Sequence, residues 1–285
     1  MKYREILLAG EEKLASQNIA DSKNDAWLLF EHIFKMPRHK YFMNSNDECV
    51  DEKLYNDYLD AIEIRANHIP LQHITKTQDF MGMTFNVNEN VLIPRQDTEV
   101  LVEKALSVMK DGDKVLDMCT GSGCIAISIA KLKNVDVTAV DISPKALEVA
   151  RENAKNLGAS NVTFIESNLF EKIKEDSTSK NCNKYDIIVS NPPYIKSLDI
   201  EDLMAEVKEH EPRLALDGDE DGLKFYRAIT RASLDFLKLG GYLIYEIGCD
   251  QGEDLRNIMV ENGFIDIEII KDLAGLDRVC IGIKS

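Results

Sequence analysis

The sequence predicts an α/β protein, a doubly wound and mostly parallel sheet preceded by a small helical bundle. Three observations point there. From Asp113 onward, short apolar, β-branched runs alternate with segments of helical length, the pattern of strand–helix–strand units. A turn with two glycines, Gly121-Ser122-Gly123, joins the first of those runs to its helix. Before about residue 70, apolar residues recur at helical spacing instead.

Taken in order, Ile6, Leu7 and Leu14 mark a first helix. Asp25 precedes a second, apolar one through Trp27, Phe30 and Phe34, and Leu54, Tyr58, Leu59 and Ile62 mark a third. Pro37 and Pro70 are expected to end helices. Trp27 lies inside an apolar stretch and is expected in the core. Phe80 to Val87, with a central Gly82, reads as a hairpin. The expected division is therefore a helical domain over 1–75, a hairpin linker over 76–93 and a sheet domain over 94–285. Thr98 or Asp97 is expected to cap the helix that continues through Leu101 and Ala105. Strands are expected at Lys114–Met118, Asp136–Asp141, Val162–Ile165, Tyr185–Val189 and Gly241–Ile247, with helices at Ile125–Leu132, Pro144–Leu157 and about 222–237. Ser143 is the expected N-cap ahead of Pro144. Ile265–Ile270 and Arg278–Ile283 close the chain as an antiparallel hairpin, and Lys174 to Lys184 reads as a polar surface loop.

Charge narrows the partners. Fifty acidic against 34 basic residues give a net charge of −16, which repels phosphate backbones, so direct nucleic-acid binding is not expected. No run is long enough to span a bilayer, and Met1-Lys2-Tyr3-Arg4-Glu5 lacks the apolar core of a signal peptide, so a cytoplasmic protein is expected. Cys49, Cys119, Cys124, Cys182, Cys249 and Cys280 form no C-x-x-C pair and are expected as reduced thiols, with no metal site.

Two stretches carry chemistry. After the run ending in Val189 comes Ser190-Asn191-Pro192-Pro193-Tyr194, at the carboxyl end of a buried strand, where open α/β sheets bind ligands. Asn191 precedes a proline and stays extended, and neither proline has an N–H to donate. The result is a stiff lip of amide, carbonyls and aromatic ring, suited to a planar group bearing an amino or amide nitrogen. Read alone, the lip is equally a turn that stops a strand. The second stretch is the turn Asp117-Met118-Cys119-Thr120-Gly121-Ser122-Gly123, whose glycines let a ligand approach the backbone. Asp141, at the end of the next strand, is placed to accept from ribose hydroxyls. Gly121-x-Gly123-x-x-Ala126 fits a dinucleotide fingerprint, which keeps an NAD(P) dehydrogenase open. Asp117 favours S-adenosylmethionine instead, since a carboxylate before the glycines attracts an ammonium and repels a pyrophosphate. The lip, which has no role in hydride transfer, favours it too. Asn168 is placed to meet an adenine edge, with Leu169 or Phe170 over its face; core packing is the other reading of those two.

Together, the glycine loop, Asp141 and the lip resemble a Rossmann-like class I S-adenosylmethionine-dependent methyltransferase that modifies nitrogen. Six further segments resemble one subfamily, the release-factor glutamine N5-methyltransferases: Pro70–Ile74, Val91–Arg95, Glu211–Leu216, Asp221–Leu223, Tyr245–Gly248 and Asp277–Val279. Cys119 stands where a first glycine is usual, Gln96-Asp97 where Pro-Glu is usual, and Asn168 where an aspartate is usual. The resemblance implies methyl transfer to the glutamine amide of the Gly-Gly-Gln motif in bacterial peptide-chain release factors. Asn191 and Pro192 would accept the amide N–H bonds, with Pro193 stiffening the lip and Tyr194 packing on the amide plane. Cofactor contacts are implied for Asp117, Cys119, Thr120, Gly121, Ser122, Gly123, Asp141, Asn168, Leu169 and Asn191. The helical domain would dock the substrate, and the chain is expected to act as a monomer. A ribosomal-protein glutamine, a DNA adenine, and a scaffold that only binds the cofactor stay as alternatives. Glu246, ending the fifth strand, could line the site but is expected to face water, and Glu211-Pro212 and Asp221-Gly222 are expected to be turns.

Overall fold

The computed structural model describes residues 1–173 and 184–285; nearly all of the expected loop over 174–184 lies outside them. The chain divides into two units, one of residues 1–77 with 204–210, the other of 78–203 with 211–285.

The first unit is helical: α1 (Tyr3–Ser16), α2 (Ser22–Phe34), α3 (Arg38–Asn44), α4 (Glu52–Ala66) and the single turn α5 (Leu71–Thr75). Ile6, Gly10 and Leu14, at i, i+4 and i+8, form the buried stripe of α1. Gly10 is required there, because a Cβ would stand 2.1 Å from the Tyr58 hydroxyl of α4. Trp27, Phe30 and Tyr58 are buried together in this core, as the apolar stretch implied for Trp27. Asp51 caps α4, accepting from the amides of Lys53 and Leu54 at 3.0 and 3.1 Å. The prolines behave differently from expectation. Pro37 and Pro70 stand at the N-caps of α3 and α5, opening helices after α2 and α4 have already stopped at Phe34 and Ala66. Proline lacks the donor that a helix interior needs but loses nothing before a first turn.

The second unit begins with a two-stranded hairpin, β1 (Thr77–Phe80) and β2 (Met83–Asn86), turned at Met81-Gly82. There follow α6 (Asp97–Val108), β3 (Lys114–Met118), α7 (Cys124–Leu132), β4 (Asp136–Asp141), α8 (Pro144–Leu157), β5 (Val162–Glu166) and β6 (Tyr185–Ser190). After the short α9 (Ala205–Lys208) of the first unit come α10 (Lys224–Phe236), β7 (Leu237–Glu246), α11 (Gly252–Glu261), β8 (Phe264–Lys271) and β9 (Asp277–Lys284). The seven-stranded sheet has the order β5-β4-β3-β6-β7-β9-β8. β9 is antiparallel to both of its neighbours, and the other pairs are parallel. The chain thus winds outward from β3 to β5, then crosses back to start the other half at β6, which makes the β3/β6 boundary the switch point. Leu116, Ile188 and Leu243, on adjacent strands, are wholly buried, as a sheet covered on both faces requires. Ser143 caps α8 through the Ala146 amide at 3.2 Å, with Pro144 at the first helical position. The expected cap of α6 does not form: Gln96 holds that position without a side-chain bond, Asp97 is the first helical residue, and Thr98 is turned inward and buried.

Candidate active site

Register builds the site. The pairs Val140–Met118, Met118–Ser190 and Ser190–Tyr245 lie level across β4, β3, β6 and β7. One residue further on, Asp141, Cys119, Asn191 and Glu246 therefore line the carboxyl edge in a single row, one strand spacing apart. Ser190 locks the centre of that row by donating to the Met118 carbonyl at 2.7 Å.

A cavity of about 370 Å³ opens beside this edge. Cys119, Thr120, Gly121 and Ser122 contribute its floor; Asp141, Asn168 and Leu169 lie on one side, Asn191 and Pro193 on another. Cys119 has φ +65°, a left-handed conformation that costs a residue with a Cβ roughly 1–2 kcal/mol and explains why glycine is usual there. Gly121 has φ +56° with open space where a Cβ would point, so backbone shape alone demands glycine. Gly123 serves packing. A Cβ there would meet Ile127 at 2.9 Å and the Ala150 Cβ at 3.1 Å, so it brings α7 against α8 and does not border the cavity.

Asp141 accepts from the Gly121 amide at 2.8 Å through Oδ2 and from the Ser143 amide at 2.9 Å through Oδ1. Each oxygen keeps a lone pair for a diol. Burial raises its pKa, and the backbone bonds oppose that. Asp117, expected at an ammonium group, is sealed beneath the loop with no exposed surface, so it reaches a ligand only through the loop. Its Oδ2 accepts the Thr120 hydroxyl at 2.5 Å, and its Oδ1 has no hydrogen-bond partner among the described residues. Burial pushes this carboxyl up to about 7, against the Thr120 bond. Asn168 donates to Glu171 at 2.8 Å, leaving its Oδ1 open. Leu169, at φ +48°, lines the cavity, whereas Phe170 stacks on Phe236 at 4.7 Å in the core.

The lip is gripped from behind. The Tyr194 carbonyl accepts from Gln251 Nε2 at 3.1 Å, and Ile195 pairs beside Asp217. Gly218 and Gly222 press on Tyr194 so closely that a Cβ would lie 2.8 Å from its Cα and 2.3 Å from its carbonyl oxygen, respectively. Asp221-Gly222 is thus a seat for the lip as well as a turn. Gly222 also has φ +74°, so Gly222→Ala is expected to lower stability by about 1–3 kcal/mol and turnover with it. Thermal unfolding together with single-turnover kinetics checks this. Pro192 and Tyr194 do not border the cavity directly, and no backbone hydrogen bond among the described residues uses the Pro192 carbonyl.

Three residues were missed or misjudged from sequence. Glu246, expected in water, is 2% exposed; it accepts from the Tyr194 hydroxyl at 3.4 Å through Oε1, and its buried Oε2 has no hydrogen-bond partner among the described residues. Glu211, expected only as a turn residue, is buried and accepts from the Ile93 amide at 3.1 Å and from Arg95 at 2.5 Å, fixing Arg95 at the cavity wall. Thr98 stands 3.5 Å from Asn191 Nδ2. For Glu246 a signal existed: it ends the strand after the one bearing the lip.

Comparison with known proteins places this geometry. The family profile described as a methyltransferase domain matches residues 109–263, and that of the PrmC N-terminal domain matches residues 5–75. A release factor glutamine methyltransferase of Clostridium acetobutylicum is 41% identical over 290 residues, covering 100% of this chain and 99% of that protein. One from Fusobacterium nucleatum is 40% identical, over 96% of this chain and 77% of its own length. Among solved structures, a methyltransferase from Pyrococcus furiosus shares the fold with a TM-score of 0.52 at 19% identity, covering 72% of this chain and 90% of that one. A 16S rRNA N2 G1207 methyltransferase from T. thermophilus also gives 0.52, at 15% identity over 73% of this chain and 50% of that one. With a relative at 41% identity aligned over its whole length, and a class I sheet carrying a nucleotide loop beside an Asn-Pro-Pro-Tyr lip, this chain belongs to the release factor glutamine methyltransferases, which take their methyl group from S-adenosylmethionine.

Proposed function

We propose that this chain methylates the side-chain amide nitrogen of the glutamine in the Gly-Gly-Gln motif of bacterial peptide-chain release factors. The observation that carries the reading is Asn191, set in one row with Cys119 and Asp141 on the wall of a single cavity. The residues suit the methyl donor: Asp141 keeps lone pairs for ribose hydroxyls, Leu169 offers an apolar face, and Asn168 Oδ1 is free for an adenine edge. Asp117 lends negative potential beneath the loop, where an ammonium would rest. Bound S-adenosylmethionine supplies an electrophilic methyl on a positively charged sulfur.

A carboxamide nitrogen is a poor nucleophile because its lone pair is shared with the carbonyl, so the protein's task is orientation. Asn191 Oδ1 and the Pro192 carbonyl accept the two N–H bonds and hold the nitrogen in line for attack. Pro193 stiffens that rim, and Tyr194 closes its end. After transfer the nitrogen carries an acidic proton, so no strong base is needed. Residues 1–75 dock the substrate protein, and the chain acts as a monomer in the cytoplasm; no helix among the described residues is long and apolar enough to cross a membrane. Incubation with labelled S-adenosylmethionine and purified release factor is expected to label the factor, and changing its Gly-Gly-Gln glutamine to abolish the label. Label that survives the change refutes the substrate.

A further inference from the structure

Glu246 is a fully buried carboxylate that the mechanism above does not use. It ends β7 directly beside the β6 end that carries Asn191. Its Oε1 accepts from Tyr194, its Oε2 is shut away from water with no hydrogen-bond partner among the described residues, and the nearby Thr98 hydroxyl favours its ionised form. Thr98 is itself 2% exposed and stands 3.5 Å from Asn191 Nδ2. A buried carboxylate left half satisfied is costly, so an arrangement that uses it is called for.

We propose that Thr98 and Glu246 are positioning residues that set which way round the Asn191 amide faces the substrate. Ionised Glu246 can only accept, so the Thr98 O–H turns to it. Thr98 Oγ1 then has only lone pairs to offer Asn191, which answers with Nδ2 and leaves Oδ1 toward the cavity. That is the face a substrate N–H requires. A protonated Glu246 donates toward Thr98 instead; the Thr98 hydrogen swings to Asn191, and the amide turns its NH2 to the cavity, where it opposes the substrate nitrogen. The same carboxylate holds the Tyr194 hydroxyl, tying both ends of the lip to one group. This inference rests on the proposed function, since it assigns the orientation of a catalytic amide.

The charged and titratable groups facing Glu246 are Asp97 from α6, Tyr194 from the lip, Arg278 from β9, Cys124 from α7 and Tyr226 from α10. Burial pushes the Glu246 carboxyl up to about 7, against Thr98, Arg278 and Tyr194. Because the ionised form is the active one, kcat is expected to rise with pH through about 7. Asp117 is also raised to about 7, so a variant must assign the limb.

The test measures methylation of release factor by the full chain carrying Thr98→Val, Thr98→Ser or Glu246→Gln. Thr98→Val is expected to lose roughly 10- to 100-fold in kcat with the cofactor KM within about threefold, and Thr98→Ser to recover most of the loss. Glu246→Gln is expected to remove the limb near pH 7. A Val variant with wild-type kcat overturns the proposal, as does a limb that persists in Glu246→Gln or is absent from the wild type. Should Thr98→Val not fold, the pH profiles decide alone. A wild-type chain that labels no release factor sinks the functional reading itself; one that labels it while Thr98→Val matches it sinks only the relay.

Discussion

Asn191→Ala is expected to reduce turnover by roughly 100- to 1000-fold, the scale of removing one well-placed polar group from a reacting centre. The cofactor Kd is expected to stay within about threefold, because the variant removes the contact we propose to the reacting nitrogen and leaves the loop over 119–122 and Asp141 in place. The backbone should hold its shape: Pro192 and Pro193 fix φ, and Gln251, Gly218 and Gly222 seat the lip from behind. Single-turnover methylation paired with cofactor titration separates the two quantities. Equal losses in both would make Asn191 a cofactor ligand instead of a substrate clamp.

The second large effect concerns the helical unit. Arg65 is buried with Asp25, which accepts from its Nε at 2.8 Å, and its terminal nitrogens reach Glu206 at 3.1 Å. The guanidinium also donates to the Ile69 carbonyl at 3.3 Å, so three groups depend on it. Arg65→Ala leaves the buried Asp25 and the half-buried Glu206 without their shared cation and is expected to destabilise the chain by about 3–5 kcal/mol. Lysine should restore little, since a point charge cannot make the forked contacts. Burial already raises the Asp25 pKa, with Arg65 opposing it, and losing Arg65 raises it further. A carboxyl whose folded pKa is raised binds more protons folded than unfolded, so stability falls as pH rises through that pKa. The deficit of Arg65→Ala should therefore be smaller at acidic pH than at neutral. Urea unfolding across that range is the measurement, and a variant within about 1 kcal/mol of wild type at neutral pH would show the network to be dispensable.

Glu206 belongs to the segment 204–210 that groups with the N-terminal helices, yet in sequence it lies between the lip and Glu211. No periodicity announces this. The chain leaves the sheet unit after residue 203 and returns at 211, so that stretch is grouped by its contacts and not by its place in the sequence.

Much of the fold was legible in consecutive residues. The limits of β3, β4 and α8 agree residue for residue with the patterns at Lys114–Met118, Asp136–Asp141 and Pro144–Leu157, because β-branched runs, a Ser143 cap and Pro144 act within a few residues of themselves. The glycine turn and the lip were legible for the same reason: positive φ and missing amides are properties of single residues. What only the tertiary structure decided was which polar groups are buried and what they meet. Thr98 looked like a cap and Glu246 like a solvated strand end, yet α6 and β7 bring them to Asn191 from 93 and 55 residues away in the chain. Glu211 reaches Ile93 across 118 residues. A side chain's desolvation is set by whatever packs over it, and those atoms come from distant segments. Local backbone preference is written in the sequence one residue at a time; burial is settled only when the sheet closes.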